Sequence, residues 1–221
     1  ITPPEHLIAD GKIHRFATTD RPSDDAGWYV LYADGFPAGA FGDWRTSTKE
    51  TWRADIGRSL SETERQHLVQ REQAIQQARE IDRDARWKQA RDRAEKIWAK
   101  AETEPLDHPY LGEKSVRAYG LKTNSSSLIV PLRIGQTLHS LQFINATGDK
   151  RFLTGGRKKG CYHLIGEPGE VLCVAEGYAT AASIYEATGY AVAVAFDAGN
   201  LQPVGMELAD RYPGARLLFC A

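Results

Sequence analysis

The chain has 221 residues, 42% hydrophobic and 26% charged, with a net charge of −1; these values suit a globular protein. No apolar run approaches the roughly 20 residues of a membrane span, and the opening residues have neither the basic nor the apolar part of a signal peptide. Three cysteines (Cys161, Cys173, Cys220) exclude a disulfide framework and a self-contained four-cysteine zinc site, and the balanced charge argues against a strongly basic nucleic-acid binder.

Residues 1–58 read as a small β-rich module. Lys12–Ala17 and Trp28–Ala33 have strand character, Asp34-Gly35 signals a turn, and Pro37–Phe41 follows as a short strand. Eight rings lie here: Phe16, Trp28, Tyr29, Tyr32, Phe36, Phe41, Trp44 and Trp52. About half are expected in the core of an antiparallel sheet. The functional alternative is a surface ring on which bases stack, with Trp44 beside Arg45 as the pair expected to be exposed.

Residues 59–104 read as a long charged helix. No proline or glycine occurs from residue 60 to 103, and Ser61 followed by Glu64 forms a capping box. Trp87, Ala90, Ala94, Ile97, Trp98 and Ala101 share one face, and Leu68, Ile75, Ala78 and Ala85 form a thinner stripe. The pattern fits one helix, or two with a break near residue 82. It is expected to dock by its tryptophan-bearing end, to project at the other, and to stop at Pro105.

Residues 105–165 read as a basic β-rich region. Leu128–Ile134 and Leu138–Asn145 flank the turn Gly135-Gln136, and Lys150–Leu153 follows another turn. Then comes a glycine-rich basic loop, Thr154–Gly160, which lacks P-loop spacing. Residues 166–221 change period. Val171–Ala175 and Tyr190–Phe196 are continuous apolar runs, the mark of strands buried on both faces. Ala179–Ala187 between them is helical and ends at Gly189, a second helix spans Pro203–Tyr212, and Arg216–Ala221 is a third strand. This β-α-β-α-β order implies a parallel sheet.

The near-neutral total conceals a pattern. Residues 105–160 hold nine Lys/Arg and three Asp/Glu, a surplus of +6, whereas residues 161–221 hold two and seven, −5. Enzymes acting on polyphosphates need cations for phosphate and carboxylates for metal. In an open parallel sheet the site lies at the carboxyl ends of the strands. Glu176 ends the first buried strand there, and Gly177 allows a sharp turn into the helix. An acid so placed serves as a metal ligand, a general acid/base, or only a helix cap.

Val174-Ala175-Glu176-Gly177-Tyr178-Ala179-Thr180-Ala181-Ala182-Ser183 in this setting resembles the Toprim domain, the metal-binding domain of bacterial-type primases, topoisomerases and some nucleases. Gly148–Leu153 and Lys158–Ile165 resemble the basic stretch that precedes Toprim in primases. His108–Leu111, Val130–Leu132, Leu141–Ile144 and Ala195–Leu201 are similar to signatures of primases from plasmids, prophages and integrative elements, and residues 11–53 to the N-terminal region of such proteins. Two features depart from the family. Toprim proteins carry an Asp-x-Asp motif just after the third strand, and here that strand ends the sequence, so the motif is expected beyond residue 221. The paired-cysteine zinc domain of bacterial-type primases has no counterpart in these residues.

The resemblance implies an α+β protein: a small antiparallel β module, a long charged helix, and a mixed β region leading into a parallel α/β domain truncated at its third strand. It implies a DNA primase core that makes short RNA primers on single-stranded DNA by nucleotidyl transfer with Mg2+ or Mn2+. The alternatives are another Toprim enzyme, nuclease or topoisomerase-like, and a non-catalytic nucleic-acid-binding module. Glu176 would be the metal carboxylate or general base. Lys150, Arg151, Arg157, Lys158 and Lys159 would bind the triphosphate or the template backbone. Gly177, Asp197 and Asn200 would edge the site, with Asp197 orienting a lysine or water or capping the following helix. Expected partners are single-stranded DNA, ribonucleoside triphosphates and a replicative helicase, in the bacterial cytoplasm without a membrane. His108 and His163 belong to no metal-binding spacing, and His108 and the three cysteines are read as structural.

Overall fold

A computed structural model of the chain describes all residues except 1–3, 5, 22–23, 34–36, 56, 58–60, 104–106, 125 and 221. The turn expected at Asp34-Gly35, the ring of Phe36 and the stop at Pro105 lie outside the described residues. The chain divides into two units, Ile1–Asp84 and Ala85–Ala221.

In the first unit, β1 (His14–Phe16), β2 (Gly27–Tyr32), β3 (Ala38–Asp43) and β4 (Thr48–Arg53) form an antiparallel sheet in chain order. The fourth strand was not legible in the sequence. Thr-Lys-Glu-Thr-Trp-Arg has no apolar alternation, because β4 is an edge strand exposed along most of its length. Alternation sends Trp28, Val30 and Ala40 to one face, where they pack with Ile75 of helix α1 (Glu62–Lys100). The expectation that this end of the helix projects is therefore wrong. Its thin stripe suffices, because Arg79 adds its guanidinium, 4.4 Å from the Trp28 ring and 5.1 Å from the Trp44 ring. For the same reason Trp44 is not the exposed ring. It is half-buried against Trp28, and among the described residues of this unit the exposed rings are Phe41 and Trp52 on the opposite face.

Helix α1 runs unbroken for 39 residues. Its capping box forms: Ser61 N donates to Glu64 Oε2 at 2.8 Å, and Glu64 N to Ser61 Oγ at 3.3 Å. In the second unit the helix buries Ala90 and Ala94, and Ala94, Ile97, Trp98 and Ala101 pack on a five-stranded antiparallel sheet. That sheet is β5 (Glu102–Thr103), β6 (Lys122–Asn124), β7 (Ser127–Ile134), β8 (Thr137–Asn145) and β9 (Lys150–Phe152), in that order. The short helix α2 (Pro109–Lys114) precedes β6, and His108 caps it by accepting from Tyr110 N through Nδ1 at 3.3 Å. The sheet's second face, Leu128, Val130, Leu132 and Ile144, joins the core beneath the following α/β layer.

That layer holds β10 (His163–Ile165), β11 (Val171–Ala175), helix α3 (Tyr178–Thr188), β12 (Ala191–Val194), helix α4 (Leu201–Arg211) and β13 (Arg216–Cys220). The strand order is β10-β12-β11-β13. β11 is parallel to both β12 and β13, while β10 lies antiparallel on β12. β11 is buried on both faces: Leu172 and Val174 meet Val204 and Leu208 of α4, and Cys173 and Ala175 meet Tyr178 and Ala181 of α3. Gly189 ends α3 at φ 73°. The molecule is thus mixed α/β with antiparallel and parallel sheets, as an α+β class requires. Among the described residues no helix is long and apolar enough to cross a membrane.

One histidine carries a stability consequence. His163 in β10 is buried, donates from Nε2 to Tyr119 O at 2.8 Å, and lies 6.0 Å from the Tyr178 ring. Burial pushes its pKa down to about 4. The unfolded chain, with a histidine near its usual value of about 6.5, then binds the proton the folded state refuses, so stability falls as pH drops from about 6.5 to about 4. Urea unfolding is expected to give about 2–3 kcal/mol less stability at the acid end. His163→Gln, which keeps a donor but does not titrate, should flatten that limb. An unchanged slope in this variant would show that other groups cause it.

Candidate functional site at the carboxyl edge of the parallel strands

The parallel register pairs Ala175 with Val194, so Glu176 and the Ala195–Asp197 segment leave the sheet at the same edge. Glu176 is exposed, and among the described residues it makes no hydrogen bond or ion pair. Its carboxylate is therefore not engaged in capping α3. Gly177 is the N-cap, with φ −115° and ψ 154°. Any residue adopts that backbone, so the expected conformational role of Gly177 is not what the turn needs. A Cβ there would lie in ordinary contact, 3.6 Å from Lys150 Nζ, which places that ammonium beside the turn.

The second carboxylate comes from Asp197. Phe196 before it has φ 75°, a strained backbone for a residue with a side chain. Asp197 makes no side-chain cap to the short 3-10 turn Ala198–Asn200 that follows. Its Oδ2 lies 2.5 Å from Lys158 Nζ as an ion pair, with no aligned hydrogen-bond donor. The lysine also lies 5.2 Å from the Phe152 ring, which meets Phe196 edge-on at 6.1 Å.

Strand alternation separates the basic residues. Lys150, Arg151 and Phe152 in β9 pair with Ile144, Phe143 and Gln142. Ile144 belongs to the core under the α/β layer, whereas Phe143 packs on the α1 side. Lys150 and Phe152 therefore face the carboxylate edge and Arg151 faces the other way. Arg157 is turned to α1, with its guanidinium 5.2 Å from the Trp87 ring. Lys159 is exposed, and its backbone carbonyl accepts from Arg157 Nε at 3.1 Å. Of the five basic residues singled out in the sequence, Lys150 and Lys158 approach Glu176-Gly177 and Asp197. The other three do not.

The loop carrying Lys158 is anchored by Asn200, which is 3% exposed. Its Oδ1 accepts from Gly160 N at 2.8 Å. Its Nδ2 donates to the carbonyls of Ala195 at 2.8 Å, Cys161 at 3.0 Å and Lys158 at 3.2 Å. One side chain thus ties the basic loop to the end of β12. The sequence marked Asn200 only as a site edge, because nothing local reveals partners about forty residues away. Phe152 and Phe196 were likewise missed; an aromatic in the Lys-Arg-Phe strand was the available signal. Cys161 is buried and its thiol is pushed up to about 12 by desolvation, which makes it inert.

The donor set suits a hard divalent cation. Glu176 and Asp197 are carboxylates, and Mg2+ takes one or two of these and fills its octahedron with phosphate oxygens and water. Among the described residues no group of three His, Cys, Asp or Glu side chains forms a metal cage. Glu176 and Asp197 are the carboxylates at this edge that could hold such an ion.

No protein-family model and no solved structure matches the chain. Two curated proteins of Escherichia coli, each called DNA primase TraC, are similar to it. One is 35% identical over 224 residues, the other 33% identical over 227, and each match covers 95% of the chain. The chain spans 20% of the first and 15% of the second.

Proposed function

We propose that the chain is part of a plasmid-type DNA primase, and that its parallel layer is a Toprim-like nucleotidyl-transfer centre. The observation that carries this reading is the placement of two carboxylates, Glu176 and Asp197, with Lys150 and Lys158 along one sheet edge. Similarity to proteins called DNA primase along nearly the whole chain supports the choice among phosphate chemistries. Mg2+ or Mn2+, held by Glu176 and Asp197, would neutralise the triphosphate and lower the pKa of the attacking 3′-hydroxyl. Lys150 and Lys158 bind phosphate oxygens by charge. The Phe152–Phe196 pair gives Lys158 an apolar backing. Lys158, ion-paired with Asp197, would shift part of that pairing to phosphate when substrate binds. Single-stranded DNA and ribonucleoside triphosphates are the substrates, and a replicative helicase is the partner, in the bacterial cytoplasm.

The test supplies single-stranded DNA, the four ribonucleoside triphosphates and Mg2+ or Mn2+ to the protein that contains this chain. Short labelled oligoribonucleotides are the expected product. Template degradation would instead indicate a strand-cutting Toprim enzyme, and binding without either product a non-catalytic module.

A further inference from the structure

The basic loop serves two places at once. Lys158 turns to Asp197, while its neighbour Arg157 turns to the Trp87 ring of α1. The loop has little freedom to exchange them. Gly156 lies so close to β8 that an added Cβ would be 2.1 Å from Ser140 Oγ. Arg93 Nη2 donates to Thr154 O at 2.6 Å, and Asn200 holds the far end. Ser140 is buried, and the residue before it, half-buried His139, has Arg157 and Arg91 as charged neighbours. Arg91 stands one turn after Trp87 on α1, and its Nε is buried with no hydrogen-bond partner.

Arg157 over the Trp87 ring and Arg91 one turn further along α1 thus share one stretch of the helix, with His139 as their neighbour, and among the described residues no carboxylate pairs with any of them. Burial, then Arg157, then Arg91 all disfavour a proton on His139. A cluster of this kind lacks its counter-charge. Guanidinium groups present planar paired donors that match phosphate oxygens. We propose that Arg91, His139 and Arg157 form a phosphate subsite for the backbone of a single-stranded nucleic acid, separate from the carboxylate edge. A nucleoside triphosphate needs the carboxylate side of the loop, whereas a polymer's phosphates can occupy the α1 side as well. The inference rests on the primase reading for its choice of polymer, and its own evidence is this cluster.

The test uses the 221-residue chain, a labelled single-stranded oligothymidylate and ATP as separate probes, over a range of NaCl concentrations. Each neutralised phosphate contributes about 0.7 to the slope of log affinity against log salt on single strands. Arg91→Gln with Arg157→Gln is expected to make the oligothymidylate slope shallower by about 1.4, and to weaken ATP far less. Arg91→Lys with Arg157→Lys restores the charge and should restore the slope, which separates lost contact from lost folding. An unchanged slope, a slope lost in the lysine variant too, or an equal loss of ATP binding overturns the proposal. Absence of oligothymidylate binding by the unaltered chain overturns it as well. Loss of primer synthesis in the Glu176 variant discussed below is independent of all these outcomes, so failure of this subsite and failure of the primase reading are distinguishable.

Discussion

Glu176→Gln in the protein that contains this chain is expected to abolish primer synthesis, by about 10²–10⁴-fold if the carboxylate acts as general base, and further if it holds metal. The substitution keeps size and hydrogen-bonding capacity and removes only the charge and basicity. Glu176 has no hydrogen bond or ion pair among the described residues, so its removal costs the fold little. Thermal unfolding should stay within about 0.5 kcal/mol, as for surface changes generally. The combination separates roles. A carboxylate that only favours the start of α3 through the helix dipole would shift stability by some tenths of a kcal/mol and leave synthesis intact. Primer synthesis at the unaltered rate would therefore remove Glu176 from the centre. A primer-synthesis defect accompanied by weaker Mn2+ binding, measured calorimetrically on the same variant, would assign it to the metal.

Asn200→Ala is expected to produce the largest loss of stability of any single polar change, about 3 kcal/mol or more. Its amide and oxygen satisfy one buried N–H and three carbonyls. A side-chain amide has only two hydrogens for those three carbonyls, so one is shared. Truncation strands several of these groups away from water, at about 1–3 kcal/mol for each left unsatisfied. Asn200→Asp is expected to be at least as damaging, because it turns acceptor oxygens toward carbonyl oxygens. Urea unfolding measures the total, and hydrogen exchange at the Gly160 amide locates it. A loss below about 1 kcal/mol with Gly160 still protected would show that water or a relaxed loop replaces the side chain. Where the loop loosens without global unfolding, Lys158 loses its position against Asp197, and triphosphate affinity should fall with it.

Most of the elements were legible in local sequence patterns. Unbroken apolar runs marked β11 and β12, because strands buried on both faces admit no polar alternation. The absence of proline and glycine marked α1, and Ser61 with Glu64 marked its start. The charge segregation and the Glu-Gly after β11 pointed to the sheet edge where Glu176, Lys158 and Asp197 lie. These are local signals, spelled in neighbouring residues. Where the pattern was polar, as in β4, the strand went unread because cross-strand pairing alone defines it.

Which charges come together depends on register and packing. Lys150 and Arg151 are adjacent and equally basic, yet the two-residue period of a strand sends them to opposite faces, and the register with β8 decides which faces the carboxylates. Arg157 and Lys158 part in the same way, because Trp87 draws one and Asp197 the other. Trp44 lies in the first unit's core for a similarly distant reason, the guanidinium of Arg79 laid over it. Asn200 became the anchor of the basic loop through partners 39 to 42 residues earlier in the chain as well as nearby Ala195. Each is a long-range contact. It depends on strand register and on how layers pack, and no window of sequence contains both of its ends.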